Sequence, residues 1–148
     1  MYRYFIILFS GIILLAGCDI RKKDSLAEKP MANQSEALKD PTTVQIIDSI
    51  YNFGKVGEGD IVEFNYRFKN TGDKPLVVTN VSASCGCTVP EKPEEPIKPG
   101  EIGFIKVKFN SANRPGEARK SVTVTSNANP PFPTLQLRGE VMGKEHEE

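Results

Sequence analysis

The sequence predicts an all-β fold, arranged as a single antiparallel β-sandwich of about seven strands over residues 44–143. The first observation behind this prediction is that apolar residues recur there with a period of two, the spacing of side chains on one face of a strand. The second is that the apolar runs are short and are separated by clusters of Gly, Pro, Asn and Asp. Strands of this number and spacing are typical of immunoglobulin-like sandwiches, with a small closed barrel as the alternative.

The first three strand segments of this pattern follow one another closely. Residues 44–56 predict one long first strand, which the turn residues 57–60 end. The clearest strand covers residues 62–69, where large apolar side chains alternate with polar and charged ones. A β-branched run at 76–81 then leads into two cysteines.

The second half of the domain combines a loop with three further strands. Residues 90–100 contain four prolines, which cannot donate to a sheet ladder, and therefore predict an extended loop that crosses between the sheets. Strand patterns resume at 102–109, 119–126 and 135–141. The inward faces predict a core made of Phe53, Val62, Phe64, Tyr66, Phe68, Val81, Ile105, Val107, Phe109, Val122, Val124, Leu135 and Leu137.

The N-terminus predicts export and lipid anchoring. Residues 1–17 combine a basic start with an apolar run too short for a typical membrane span, as in a signal peptide. The stretch Leu15-Ala16-Gly17-Cys18 resembles the lipobox of bacterial lipoproteins. Cys18 is therefore expected to become the lipidated N-terminus and to attach the protein to a membrane. The alternative is an uncleaved anchor in which Cys18 is incidental.

These features predict a location in the cell envelope, with inner or outer membrane and periplasmic or surface side left open. Residues 18–43 are polar without an apolar period and predict a flexible tether, and the charged tail 144–148 is expected to fray. Asp24-Ser25-Leu26 and Asp48-Ser49-Ile50 resemble the Asp-Ser/Thr-aliphatic acceptor of O-glycans in some Bacteroidetes. Ser25 is the favoured candidate because it lies in the tether.

The charge balance argues against a nucleic-acid partner. The whole chain carries 19 basic and 19 acidic residues, and cleavage of residues 1–17 removes only Arg3, which leaves 19 − 1 = 18 basic side chains. Affinity for nucleic acids depends on clustered basic charge.

Cys85 and Cys87 are the cysteines that remain once Cys18 carries lipid. In an extended strand, residues i and i+2 lie about 6.6–6.8 Å apart, at the limit of the Cα separation that a disulfide spans. A bridge therefore needs a local bend, which Gly86 permits. The favoured interpretation is a packed or locally bridged pair that shapes this bend. The alternatives are redox exchange with envelope thiols, capture of a soft ion such as Cu(I), and bridging between molecules.

Neither enzymatic chemistry nor a cofactor is expected. A catalytic Ser or Cys needs a base within reach, and the single histidine, His146, lies in the tail. A four-ligand zinc site lacks histidine or further cysteine near the thiol pair. The carboxylates of Glu91, Glu94, Glu95 and Glu101 cluster near the proline-rich loop. Solubility and protection of a strand edge are favoured for them over a glycosidase pair.

Five segments, in order along most of the domain, resemble one bacterial family. They are Phe53–Asp60, Phe68–Leu76, Ser84–Pro90, Ile97–Glu101 and Val122–Asn127. The family is catalogued as domain of unknown function 1573. The resemblance implies an exported or lipid-anchored protein of a kind common in Bacteroidetes, with an immunoglobulin-like sandwich related to the major sperm protein and Hydin-type modules. It implies no activity.

The expected function is that of a lipid-anchored envelope protein of unestablished activity, acting as a non-enzymatic binding or structural module. The alternative is a thiol-redox or soft-metal-handling module that uses Cys85 and Cys87. The expected partners are the membrane, through Cys18, and an envelope protein that pairs with a strand edge. The oligomeric state is left open.

Overall fold

A computed structural model of the chain describes residues 39–143. The predicted signal peptide, Cys18, Ser25 and the tail 144–148 lie outside the described residues, so these assignments stay predictions. The described residues form eight strands: β1 (Val44–Ile46), β2 (Ile50–Gly57), β3 (Ile61–Asn70), β4 (Val78–Ala83), β5 (Thr88–Glu91), β6 (Ile102–Asn110), β7 (Gly116–Ser126) and β8 (Leu135–Met142). No helix long and apolar enough to cross a membrane occurs within this part of the chain.

The strands form two four-stranded sheets packed face to face, which confirms the predicted immunoglobulin-like sandwich. One sheet has the order β1-β3-β6-β5 and the other β2-β8-β7-β4. Strands β4 and β5 are therefore edge strands of different sheets, and they are joined by the short segment that contains both cysteines. The other outer strands, β1 and β2, are likewise consecutive in the chain and lie in different sheets.

The prediction of one long strand over 44–56 is wrong, because this segment forms two strands, β1 and β2. Together with β5, which the sequence did not indicate as a strand, this split gives eight strands. The amides of residues 47 and 48 both donate to the carbonyl of Arg67 at 3.0 and 3.1 Å, and the Asp48 carboxylate binds the Arg67 guanidinium. These bonds hold the end of β1, and the chain then crosses to the other sheet. There β2 pairs with β8 in parallel, so the sandwich is not wholly antiparallel.

The predicted loop over 90–100 starts too early, because Pro90 and Glu91 belong to β5. The amide of Asn110 donates to the carbonyl of Cys87 at 2.9 Å. Alternate residues of β5 therefore turn their polar backbone groups toward β6, and Pro90 turns its nitrogen away from it. Proline is tolerated there because the missing N–H would face the free side of an edge strand.

The predicted register is confirmed. Ten of the thirteen expected core residues are buried, and Phe53, Phe64 and Val81 are partly buried and pack against them. The core has two clusters: one contains Tyr66, Phe68, Ile105 and Leu135, and the other contains Val62, Phe109, Leu137 and Cys87. Several buried residues were absent from the expected core: Leu76, Val77, Val78, Ala118, Ala128 and Val141.

A buried polar side chain, Asn70, closes the end of the sandwich at which the described chain begins. Its amide nitrogen donates to the carbonyls of Lys74 (2.7 Å) and Ile97 (2.9 Å). Its carbonyl oxygen accepts from the Thr42 hydroxyl (3.0 Å) and the Gly72 amide (3.2 Å). Contacts with the domain therefore begin ahead of Val44, and they hold three loops together.

Candidate functional site

Cys85 and Cys87 form a disulfide in the segment that connects β4 to β5. Of the states that the sequence leaves open, the structure has the local bridge. The two Cα atoms lie 5.3 Å apart, closer than the roughly 6.6–6.8 Å of an extended strand. The chain is therefore bent at this point, as the geometry of a bridge between residues i and i+2 requires.

Backbone hydrogen bonds to both sheets hold the disulfide turn in place. The amide of Thr88 donates to the carbonyl of Cys85 at 3.2 Å and closes the turn. Ser84 bonds twice to Ser121 of β7, through its amide at 2.9 Å and through its hydroxyl, which accepts at 3.1 Å. The turn therefore spans the gap between the two sheets along one side of the sandwich.

Gly86 permits this bend, as expected, but the bend does not require a glycine. Its φ does not lie in the left-handed region that favours glycine. A Cβ added to Gly86 would meet no other atom within 4 Å. The backbone conformation at Gly86 is accessible to any residue, and the hydrogen bonds of the turn hold the bend that brings the two cysteines together.

The two cysteines differ in exposure, and their sulfurs share one hydroxyl neighbour. Cys87 is only 9% exposed and belongs to the second core cluster, whereas Cys85 is partly exposed and packs against that cluster. The hydroxyl oxygen of Thr88 lies 3.5 Å from the sulfur of Cys85 and 3.8 Å from that of Cys87. Because a bridged sulfur carries no hydrogen, Thr88 is the donor, and its single hydroxyl hydrogen is shared between the two sulfurs.

The disulfide and the start of the domain lie at opposite ends of the sandwich. The carbonyl of Cys87 accepts from Asn110, the last residue of β6, while Asn70 and Thr42 lie beside its first residue, Ile102. Strand β6 has nine residues, and the eight steps between its ends correspond to about 26 Å of strand. A chain that enters beside Thr42 therefore presents the disulfide at the far end of the domain.

A second candidate feature is an open stretch of strand edge at the beginning of β6. Since the amide of Asn110 faces β5, the amides and carbonyls of Phe104 and Ile102 face the same side. Strand β5 ends at Glu91, opposite Lys106. Within the described residues, no strand therefore pairs with this side of β6 at Ile102 and Phe104.

A groove of about 300 Å³ runs along this open edge. Its lining includes Glu91, Pro93, Glu94, Ile97, Phe104 and Lys106. The side chains of Ile102 and Phe104 are 49% and 46% exposed. The groove thus combines unpaired backbone groups, apolar surface and charges of both signs.

The acidic residues that cluster in the sequence near the proline-rich loop have different contacts in the structure. Glu91 and Glu94 line the groove, while the Glu101 carboxylate accepts from the amide of Lys98 at 3.1 Å and stabilises a turn. Among the described residues, no group of three or more His, Cys, Asp or Glu is placed to hold a metal ion.

The second O-glycan motif, Asp48-Ser49-Ile50, lies in the crossing between β1 and β2. Ser49 is partly buried, and its carbonyl accepts from the amide of Gln136 at 2.8 Å. The Asp48 carboxylate is occupied by Arg67, whose side-chain hydrogen bond is the main cause that holds the pKa of Asp48 below its usual value. The motif is therefore bound into the fold rather than displayed on a loop.

Sequence reasoning missed Thr88, Ile102 and Phe104 as candidate site residues. The sequence contained a signal for Ile102 and Phe104. Both lie at outward-facing positions of β6, and the next outward-facing positions are the charged residues Lys106 and Lys108. Two apolar residues at such positions mark an exposed apolar surface. No sequence signal distinguishes Thr88, whose role depends on how the turn folds.

An immunoglobulin-like sandwich with a Cys-Gly-Cys turn between the edges of its two sheets is the class of protein that this fold and site define. The chain belongs to the family described as Protein of unknown function (DUF1573), whose sequence model matches residues 44–141. A search of curated proteins finds none that is significantly similar in sequence.

Solved structures share the fold at low sequence identity. The chain is similar to a protein of unknown function from Porphyromonas gingivalis W83, with a TM-score of 0.59 and 15% identity over 68% of this chain and 47% of that one. It thus spans about half the length of that protein. It is also similar to the ASH/PapD-like domain 7 of human CEP192, with a TM-score of 0.57 and 14% identity over 71% of this chain and 89% of that one.

Proposed function

We propose that this protein is a lipid-anchored, non-enzymatic binding module of the cell envelope, and that it binds an extended segment of a partner protein along the open edge of β6. The observation that carries this proposal is that no strand among the described residues pairs with the backbone of Ile102 and Phe104 on the side that faces the groove at the end of β5. A partner strand placed in line with β5 would satisfy their backbone groups.

The surroundings of the edge support a peptide as the ligand. Three prolines follow Glu91 in the adjoining loop, at positions 93, 96 and 99, and they cannot donate to β6. The exposed ring of Phe104 and the side chain of Ile97 provide apolar contact for alternate residues of an added strand. Glu91, Glu94 and Lys106 provide charges that select among partners.

The anchoring part of the proposal rests on the lipobox-like sequence that ends at Cys18. Between Cys18 and Lys39, the first described residue, the chain advances 39 − 18 = 21 residues. A fully extended chain of that length spans at most about 70 Å, so the domain would work close to the membrane surface. Replacing Cys18→Ser is expected to abolish lipid labelling and to move the protein from the membrane fraction to the soluble fraction. Membrane retention without lipid labelling would favour the uncleaved anchor.

The binding part can be tested by site-specific photo-crosslinking in the native host. A photoreactive phenylalanine analogue at Phe104 is expected to give a crosslinked product of defined mass. The same analogue at Val89, which is also exposed but lies beside the disulfide turn, is the matched control and is expected to give none.

A second pair of variants tests whether the backbone edge makes the contact. Ile102→Pro removes an amide that faces the open edge, at the first position of a strand where proline is tolerated. Ile102→Ala keeps that amide. The crosslink at Phe104 should disappear in the proline variant and persist in the alanine variant, with both variants folded by circular dichroism. Equal crosslinking in the two folded variants would contradict strand addition.

A second candidate function is thiol redox exchange at the Cys85–Cys87 disulfide. It is favoured by the position of the bridge, which lies in a turn where Cys85 is partly exposed. Capture of a soft ion such as Cu(I) would require prior reduction, because bridged sulfurs are not thiolates. Equilibration of the folded protein with a reference dithiol is expected to reduce the bridge without unfolding the domain. A bridge that opens only in denaturant would refute this candidate.

A further inference from the structure

We propose that Thr88 is a positioning residue for thiol–disulfide exchange, and that it donates its hydroxyl hydrogen to the sulfur that leaves when a dithiol attacks the bridge at Cys85. This inference rests on the second candidate function and adds to it the direction of attack and the group that assists it. Three observations support it, namely the surroundings of the hydroxyl, the difference in exposure between the two cysteines and the position of the turn.

The Thr88 hydroxyl is buried and directed at the disulfide. Thr88 is 3% exposed, and its hydroxyl oxygen lies 3.5 Å from the sulfur of Cys85 and 3.8 Å from that of Cys87, its hydrogen-bond contacts in the described structure. The hydroxyl hydrogen rotates, so it can be donated to either sulfur. A bridged sulfur is a weak acceptor, whereas a thiolate is a charged and much stronger one. The donor is therefore in place before the charge develops, as in sites that stabilise a developing anion.

The difference in exposure between the two cysteines indicates which one is attacked. Cys85 is partly exposed, whereas Cys87 is 9% exposed and packed in the cluster with Val62, Phe109 and Leu137. An incoming thiolate must approach along the line of the bridge, and solvent reaches the Cys85 end more easily. Attack at Cys85 makes Cys87 the leaving sulfur. The disulfide turn also lies at the end of the domain opposite Thr42. A soluble reductant would meet the disulfide at that end.

Reduction of the Cys85–Cys87 disulfide by a dithiol takes two exchange steps. One thiolate of the reductant bonds to the sulfur of Cys85, and the electron pair of the Cys85–Cys87 bond moves to the sulfur of Cys87. Thr88 donates a hydrogen bond to this thiolate, which later takes a proton from solvent. The second thiol of the reductant loses its proton to solvent and attacks the reductant's own sulfur in the mixed disulfide. This closes the disulfide of the reductant, and the sulfur of Cys85 leaves with the electron pair as a thiolate and takes a proton from solvent. Two electrons pass from the dithiol to the cysteine pair.

The role of the hydroxyl can be measured by the rate of reduction of the folded, oxidised protein by dithiothreitol. Thr88→Val keeps the shape of the side chain and removes the donor, and Thr88→Ser keeps the donor and removes the methyl group. We expect the valine variant to be reduced about tenfold more slowly, because the free energy of a hydrogen bond to a charged group corresponds to at least about this factor in rate. The serine variant should match the unmodified protein within about twofold.

The control separates hydrogen bonding from packing. If Thr88 acts only by packing, the serine variant changes and the valine variant does not, and the proposal is overturned. If the unmodified folded protein is not reduced at all, the redox function itself fails. If it is reduced and the valine variant is reduced at the same rate, only the role of Thr88 fails.

The direction of attack can be tested on the unmodified protein, so it does not depend on a variant that folds. A small monothiol in excess, followed by acid quenching and alkylation, leaves the mixed disulfide on one cysteine and the alkyl label on the other. Fragment-ion mass spectrometry is expected to place the mixed disulfide on Cys85 in most molecules. Predominant modification of Cys87 would overturn the assignment.

Discussion

Replacement of Asn70 by alanine is expected to be among the most destabilising single changes in this domain, although Asn70 is polar and lies at the end of a strand. Its side chain is fully buried, with 0% exposure. It makes four hydrogen bonds, as donor to two loop carbonyls and as acceptor from Thr42 and Gly72. Alanine removes all four bonds and leaves a cavity in the junction of three loops.

The expected loss of stability depends on which hydrogen bonds the partners of Asn70 retain in the alanine variant. A hydrogen bond contributes roughly 0.5–1.5 kcal/mol net to stability. The partners are not left wholly unpaired: the Lys74 carbonyl still accepts from the Thr42 hydroxyl, and the Ile97 carbonyl still accepts from the Leu76 amide. We therefore expect a loss of about 2–4 kcal/mol rather than the larger cost of orphaned buried groups. Asn70→Asp should cost more at neutral pH, because it buries a charge beside two carbonyl oxygens.

Urea unfolding, followed by circular dichroism, measures this loss. The midpoint of Asn70→Ala should fall by on the order of 1–3 M with an unchanged slope. Asn65→Ala is the matched control: Asn65 lies on the same strand and is exposed, so its change should remain within about 0.5 kcal/mol. A loss below about 1 kcal/mol for Asn70→Ala, or equal losses for the two variants, would refute the reasoning.

Three further predictions concern the sheets and the glycines. Tyr66→Phe should lower the free energy of unfolding by about 1–2 kcal/mol in urea titrations, because it removes the 2.7 Å bond to a carbonyl of β8 that joins the sheets; an unchanged midpoint would contradict this. The side-chain hydrogen bond from Arg67 is the largest cause that holds the pKa of Asp48 in the folded protein below 3.8. The ion pair therefore stabilises the fold fully above the pKa that Asp48 has in the unfolded chain. This contribution is lost as pH falls through the lower pKa of Asp48 in the folded protein. Asp48→Asn should therefore be less stable than the unmodified protein at pH 7, with a gap that narrows below about pH 4; a constant gap would exclude the ion pair as its cause. Gly86→Ala should leave thermal stability nearly unchanged, whereas Gly103→Ala places a Cβ 2.4 Å from a buried phenylalanine ring and should cost about 1–3 kcal/mol; similar melting temperatures for the two variants would show that the core yields easily.

The candidate sites were predictable only in part. The spacing of Cys85 and Cys87 restricts what the pair can do, yet whether the sulfurs bridge depends on the bend, and the bend depends on hydrogen bonds to Ser121 and Asn110 from other strands. The edge at Phe104 depends on where β5 stops pairing with β6. Both features arise from contacts between segments distant in sequence, which a local pattern does not encode.

By itself, the sequence determined the fold class and the inward face of the strands. Side chains alternate with a strict period of two, so the pattern along β3, β6 and β8 defines the buried face without reference to any neighbour. Only the tertiary structure decided the switch of sheets at Asp48, the parallel pairing of β2 with β8, and the burial of Asn70. Each of these depends on long-range hydrogen bonds whose partners become neighbours only when the two sheets pack together.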